Sequence, residues 1–257
     1  IKPSSGAPET ARVISELLGG IFTPDFVACT PGGRGEHAAL LEARWDKIFF
    51  TGGAAAGREV LRAAAESLTP VALELGGKCP VIVEASADIP LAARRIVAGK
   101  LLNCGQTCVA PDYVLCDTAV EEALLGALRR ELERQYPSAL DDPEYPRMAS
   151  LAHFERVRAL IDPAKAVCGG RWDEASLKIE PTVLRGVQPG DAVMAEEIFG
   201  PVLPVLTYKS LGEALAFVEG RPRPLALYLF TRSREAKRAV LGRCRFGGGC
   251  VNDTLMH

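Results

Sequence analysis

The sequence predicts an α/β fold in two consecutive units, on three observations. Short apolar runs alternate with helical patterns from residue 1 to residue 75, the alternation resumes after Gly76-Gly77, and the run Lys47 to Thr51 has no polar alternation. Alternating strands and helices favour a parallel sheet over an all-helical or all-β arrangement. An unbroken apolar run marks a strand covered on both faces.

In the first unit, Glu9 to Leu18 reads as a helix, Phe26 to Cys29 as a strand and His37 to Ala43 as a second helix. Strand Lys47 to Thr51 then runs through Gly52-Gly53 into the alanine-rich helix Ala54 to Ser67, and strand Val71 to Leu75 closes the unit. Gly76-Gly77 is the expected boundary, dividing residues 1–75 from 76–257. Beyond it, Pro80 to Glu84 reads as a strand, Pro90 to Leu102 as a helix and Tyr113 to Cys116 as a strand. Thr118 to Glu121 has a capping-box pattern opening a helix whose Val120, Leu124, Leu128 and Leu132 share one stripe. Three prolines make Tyr136 to Arg147 a surface loop, and a helix follows near Leu151 to Ile161. Strands near Pro181 to Leu184, Val202 to Tyr208 and Leu225 to Thr231 are separated by helices near Leu211 to Glu219 and Arg234 to Leu241.

Composition narrows the function. At 48% hydrophobic and 24% charged, the 257 residues can bury a substantial core and are not a disordered tract. The 30 basic residues are offset by 32 acidic ones and no Lys/Arg run exceeds two, which argues against a nucleic-acid partner. No apolar run approaches about 18 residues and no signal pattern opens the chain, so a cytoplasmic protein is expected. The eight cysteines form no CxxC pair and only three histidines accompany them, which predicts reduced thiols and no metal site.

Two stretches carry chemistry. Asn103 to Ala110 is a cysteine-bearing loop between a helix and a strand, in which Gly105 permits a turn that would strain any residue with a Cβ. A sulfur there is held rigidly with its tip open, so Cys108 is the expected nucleophile. Cys104, four residues earlier, is expected to be a small buried side chain. Upstream, Glu74 sits between Leu73 and Leu75 before two glycines. Apolar neighbours would disfavour its ionised form and suit it to act as a general base; pairing with Lys78 or a backbone amide is the alternative. Gly52-Gly53 ahead of a helix is suited to an anion, although GGAAAG is not GxGxxG and by itself reads first as an ordinary βα turn. A Cys-His hydrolase using His37 or His153 ranks far below, since neither histidine has a partnered acid or sulfur nearby in sequence.

LELGGK (73–78) followed about thirty residues later by GQTC (105–108) resembles the aldehyde dehydrogenase superfamily. GQTCVAPDYVLC (105–116) and PLALY (224–228) are similar to its class 3 branch. With Lys2-Pro3-Ser4, Phe50 to Gly53 and EEIFGP (196–201), the resemblance spans essentially the whole chain. It implies a partial Rossmann-like cofactor domain over 1–75 and an α/β catalytic domain over 76–257. It further implies oxidation of an aldehyde to a carboxylic acid by NAD or NADP, with Cys108 as nucleophile and Glu74 as general base. Cofactor contacts are implied at Lys2, Thr51, Gly52, Gly53, Gly57, Leu75 and Gly76. Glu197 would accept from the nicotinamide ribose and Phe199 would pack against the ring. Ser5 stands where many members have Glu, which leaves NAD versus NADP open.

The resemblance also implies an interior piece of a longer protein, homodimeric when whole, with an Asn oxyanion donor upstream and any membrane tail downstream. Two rivals follow: a truncated, catalytically incompetent chain acting only in binding or assembly, and an acylating dehydrogenase that passes the thioester to coenzyme A.

Overall fold

The computed structural model describes residues 1–257, which form two compact units, Ile1–Leu75 and Gly76–His257. The first contains α1 (Pro8–Ile21), α2 (Arg34–Glu42), β1 (Ile48–Gly52), α3 (Ala54–Ser67) and β2 (Val71–Leu75). β1 and β2 pair in parallel, with Ile48 opposite Val71 and Thr51 opposite Glu74. α3 buries Gly57, Val60 and Ala64. Gly57 is a packing glycine: a Cβ there would lie 2.8 Å from Cδ2 of Leu75.

Two expectations fail in this unit. Phe26 to Cys29 is not a strand; Phe26 and Val27 donate to Thr23 O in a turn. Ile1 donates to Ala28 O and accepts from Thr30 N, the bonds of a parallel pair, but this pairing is one residue long. Nor is β1 covered on both faces. Its exposure alternates, with Phe49 69% exposed, because successive strand residues point to opposite sides and α3 packs against only one of them.

The second unit contains β3 (Pro80–Val83), α4 (Ile89–Leu101), β4 (Tyr113–Asp117), α5 (Glu121–Gln135), α6 (Leu151–Arg158), β5 (Ala166–Cys168), β6 (Trp172–Asp173) and β7 (Lys178–Ile179). β8 (Thr182–Leu184), β9 (Val202–Tyr208), α7 (Leu211–Glu219), β10 (Ala226–Phe230), α8 (Arg234–Arg243) and β11 (Gly248–Val251) follow. Seven strands form one sheet in the order β11-β10-β3-β4-β9-β8-β5, parallel throughout except for β5 against β8. The parallel-dominated α/β class expected from the sequence is the class observed.

Period-two alternation divides the core between the sheet's two faces. Val81, Val83, Val114 and Cys116 pack with Ile96 of α4 and Leu124 and Leu128 of α5. Ile82 and Leu115 instead join Phe154 of α6, Leu215 of α7 and Val240 of α8. Helix starts follow local chemistry, since Asp88, Ser150, Ser210 and Ser233 each accept an N–H from the first turn of α4, α6, α7 and α8. The capping box at Thr118 is not formed: the Asp117 carboxylate caps Ala119 N, and α5 begins one short 3₁₀ turn later. No strand is expected from sequence at β11, because glycine reads as a strand breaker. Here glycine is required: a Cβ on Gly247 would sit 2.6 Å from Leu225 O, and one on Gly249 would collide with Leu227 O.

Candidate active site

The loop after α4 is held in a conformation that few sequences tolerate. Asn103, Cys104 and Gly105 are all left-handed, with φ of 52°, 57° and 74°. Two consecutive non-glycine residues there store strain that the surroundings must offset. They do so through hydrogen bonds: Asn103 Nδ2 donates to Gln106 O (3.1 Å), and the Gln106 amide bridges Asn103 O, Arg147 O and Ala149 N. A Cβ on Gly105 would collide with Gly200 O and lie 2.7 Å from Gly200 C, so this loop and the EEIFGP segment touch backbone to backbone. Cys104 is fully buried, its thiol donating to Tyr145 Oη at 3.2 Å, in keeping with a structural role.

Cys108 follows as a partly exposed, free thiol. Its carbonyl accepts from the Cys79 thiol (3.5 Å), and the next carbonyl, Val109 O, accepts from Tyr228 Oη (2.6 Å). Cys79 also accepts from Ala226 N (3.3 Å), and burial pushes its thiol up to about 12, so it supports the loop as a neutral group. No backbone carbonyl accepts the Cys108 N–H, which leaves a donor beside the sulfur. That is the arrangement an oxyanion needs.

The EEIFGP segment lies close by within this unit. Glu197 packs over Gly76, where a Cβ would overlap its carboxylate, with Cδ 2.6 Å away. Burial first, then the negative charge of Asp112, pushes Glu197 up to about 7; the Gly77 N–H, Lys100 and Lys78 oppose the shift. Phe199 takes a left-handed φ of 50° and its carbonyl meets the His153 ring at 2.7 Å. Arg156 holds the same segment, donating to Glu196 Oε1, Glu197 O and Ile198 O. Lys100, 2% exposed, has an ammonium without a hydrogen-bond partner, and burial lowers it to about 8. Of the implied site residues, Cys108, Gly76, Glu197 and Phe199 therefore belong to the second unit.

Lys2, Thr51, Gly52, Gly53, Gly57, Glu74 and Leu75 belong to the first. Gly53 caps α3 with open space around it, leaving the first-turn amides accessible to an anion. The Gly57 N–H is spent on Gly53 O. Lys2 donates to Pro3 O and Gly32 O, both at 2.9 Å. Glu74 is exposed, unlike Leu73 and Leu75. The expected apolar surround from those two leucines does not exist, because alternate residues of β2 point to opposite faces. Lys78, suggested as its partner, is paired with Asp112. Reading the sequence missed Asp112, Gln106, Cys79 and Arg156; only Gln106 and Asp112 sat inside a recognised motif, and nothing in it gave them roles.

The aldehyde dehydrogenase family matches residues 1–257, and the chain belongs to that family. A 4,4'-diaponeurosporen-aldehyde dehydrogenase of Staphylococcus aureus is 46% identical over the whole of this chain and 57% of its own length. Mouse aldehyde dehydrogenase family 3 member A2 is 41% identical over the whole chain and 53% of its own length, in accord with the class 3 likeness. Among solved structures, the substrate-bound state of Staphylococcus aureus AldH superposes with a TM-score of 0.97 at 45% identity, over all of this chain and 57% of that one. The chain thus spans somewhat more than half the length of the relatives it matches. No helix is long and apolar enough to cross a membrane.

Proposed function

We propose that the protein containing this chain oxidises an apolar aldehyde to its carboxylic acid with NAD or NADP. The observation that carries this reading is Cys108 itself: a partly exposed thiol on a strained, braced loop with a free N–H beside it. Family membership supports aldehyde oxidation as the reaction class. The name of the staphylococcal relative, a 4,4'-diaponeurosporen-aldehyde dehydrogenase, supports an aldehyde of that kind as substrate.

The Cys108 sulfur adds to the carbonyl carbon, making a C–S bond and an oxyanion that the Cys108 N–H stabilises. A bound nicotinamide would supply the hydride acceptor for this carbon, with Glu197 and Phe199 as the residues that would hold it. What remains on Cys108 is a thioester. Glu74 takes a proton from water, the hydroxide adds to the acyl carbon, and the C–S bond breaks to release the acid and the cysteine. Hydrolysis through Glu74 is favoured over transfer to coenzyme A because the acid is retained. The Glu197 carboxylate, seated over Gly76, is suited to accept from a ribose hydroxyl. The open amides at Gly53 fit a diphosphate.

The test is to follow aldehyde-dependent NAD(P) reduction and product in protein from the complete reading frame around residues 1–257. Glu74→Gln should still give a rapid first turnover but slow steady-state release by about 10²-fold or more; equal steady-state rates would remove Glu74 from the mechanism. Absence of any turnover in the unmodified protein would favour the binding-only reading.

Glu197 supplies a pH prediction. Its accepting form is the carboxylate, which is lost as pH falls through about 7. The cofactor KM should therefore drop about tenfold as pH rises from about 6 to about 8. Glu197→Gln should flatten that profile; an unchanged slope would mean that another group titrates.

A further inference from the structure

We infer that Lys78 and Asp112 form a positioning pair that fixes the backbone carrying Glu197 against the loop carrying Cys108, an inference that rests on the oxidation reading above. Three segments distant in sequence meet at these two side chains. The Lys78 ammonium pairs with Asp112 and donates to Val193 O and Glu196 O, both at 2.9 Å. The other oxygen of Asp112 accepts Ile198 N at 2.9 Å. The carbonyl before Glu197 and the amide after it are thus both held by one ion pair.

The pair is equally tied to the nucleophile. Asp112 lies four residues after Cys108, and its own N–H donates to Cys79 O (2.9 Å). The thiol of that same Cys79 donates to Cys108 O. Lys78 is the residue before Cys79 and follows the Gly76-Gly77 strip over which Glu197 packs. A continuous line of contacts between sulfur, strip and carboxylate therefore runs through residues 78, 79 and 112, alongside the direct approach of Gly105 to Gly200.

Burial makes the pair stiff. The Lys78 and Asp112 side chains are 10% and 4% exposed. Desolvation lowers Lys78, while Asp112 pulls the other way and keeps the cation in place. Water does not compete well for such a pair, and removing one partner strands the other charge. Neither side chain hydrogen-bonds to Cys108 or to the carboxylate of Glu197, so their role is positional.

Two variants in the complete protein test this. Lys78→Met removes both carbonyl contacts. Asp112→Asn retains an acceptor for Ile198 N but loses the charge that fixes Lys78. Assayed well below their melting temperatures, both should raise the cofactor KM about tenfold or more while the aldehyde KM stays within about twofold. A purely structural role would lower the melting temperature and leave both KM values of the folded enzyme unchanged, and that result overturns the proposal. If Lys78→Met fails to fold, Asp112→Asn carries the same expectation and the same refutation. Absence of turnover in the unmodified protein is a different result: it removes the oxidation reading and this pair's role with it.

Discussion

Cys108→Ala in the complete protein should lower aldehyde-dependent NAD(P)H formation by about 10⁴-fold or more, with cofactor affinity unchanged. The size of the effect follows from the role: without the sulfur no tetrahedral adduct forms, so the hydrogen on the carbonyl carbon cannot leave as hydride. Cys104→Ala is the matched control. Its thiol is buried against Tyr145, so its loss should cost stability, about 1 kcal/mol, and leave the chemistry intact. Stoichiometric alkylation should tag Cys108 ahead of Cys104, because only the former is partly exposed. Unchanged turnover in Cys108→Ala would refute the proposed function.

Gly105→Ala should be the most damaging single methyl in the site. A Cβ there meets the Gly200 carbonyl and lies 3.0 Å from Lys100 O, and φ of 74° disfavours any L side chain. The contacts are backbone on both sides, so no rotamer change relieves them. The conformational penalty and the overpacking sum to about 2–4 kcal/mol, or roughly a 5–10 °C fall in Tm. Activity should fall further than stability alone implies, since the displaced loop is the one that aims Cys108. Gly19→Ala in α1 is the contrast: nothing lies within 4 Å of the added atom, and a helical Gly→Ala change should be neutral or stabilising by up to about 1 kcal/mol. Equal melting temperatures for Gly105→Ala and the unmodified protein would contradict the close backbone approach.

Local signals made much of this legible beforehand. α3, β2 and α7 have the boundaries their residue patterns predict, because a strand's or helix's apolar period and its Ser, Asp and Gly punctuation are properties of adjacent residues. The glycine edge strand and the Phe26 turn were hidden for the converse reason. A glycine run pairs as a strand only where a neighbour's carbonyls leave no room for Cβ, and an extended apolar segment becomes a strand only beside a partner long enough to hold it.

The site divides along the same line. The GQTC motif read together with LELGGK upstream singled out Cys108 among eight cysteines. The EEIFGP motif marked Glu197. Only the folded chain showed what aims them: a left-handed turn at 103–105 locked by Gln106, a neutral Cys79 beneath the cysteine loop, and a buried Lys78–Asp112 pair between segments more than thirty and more than eighty residues apart. Chemistry resides in the functional group and can be read from short motifs; orientation arises from contacts between distant segments, which no local pattern encodes.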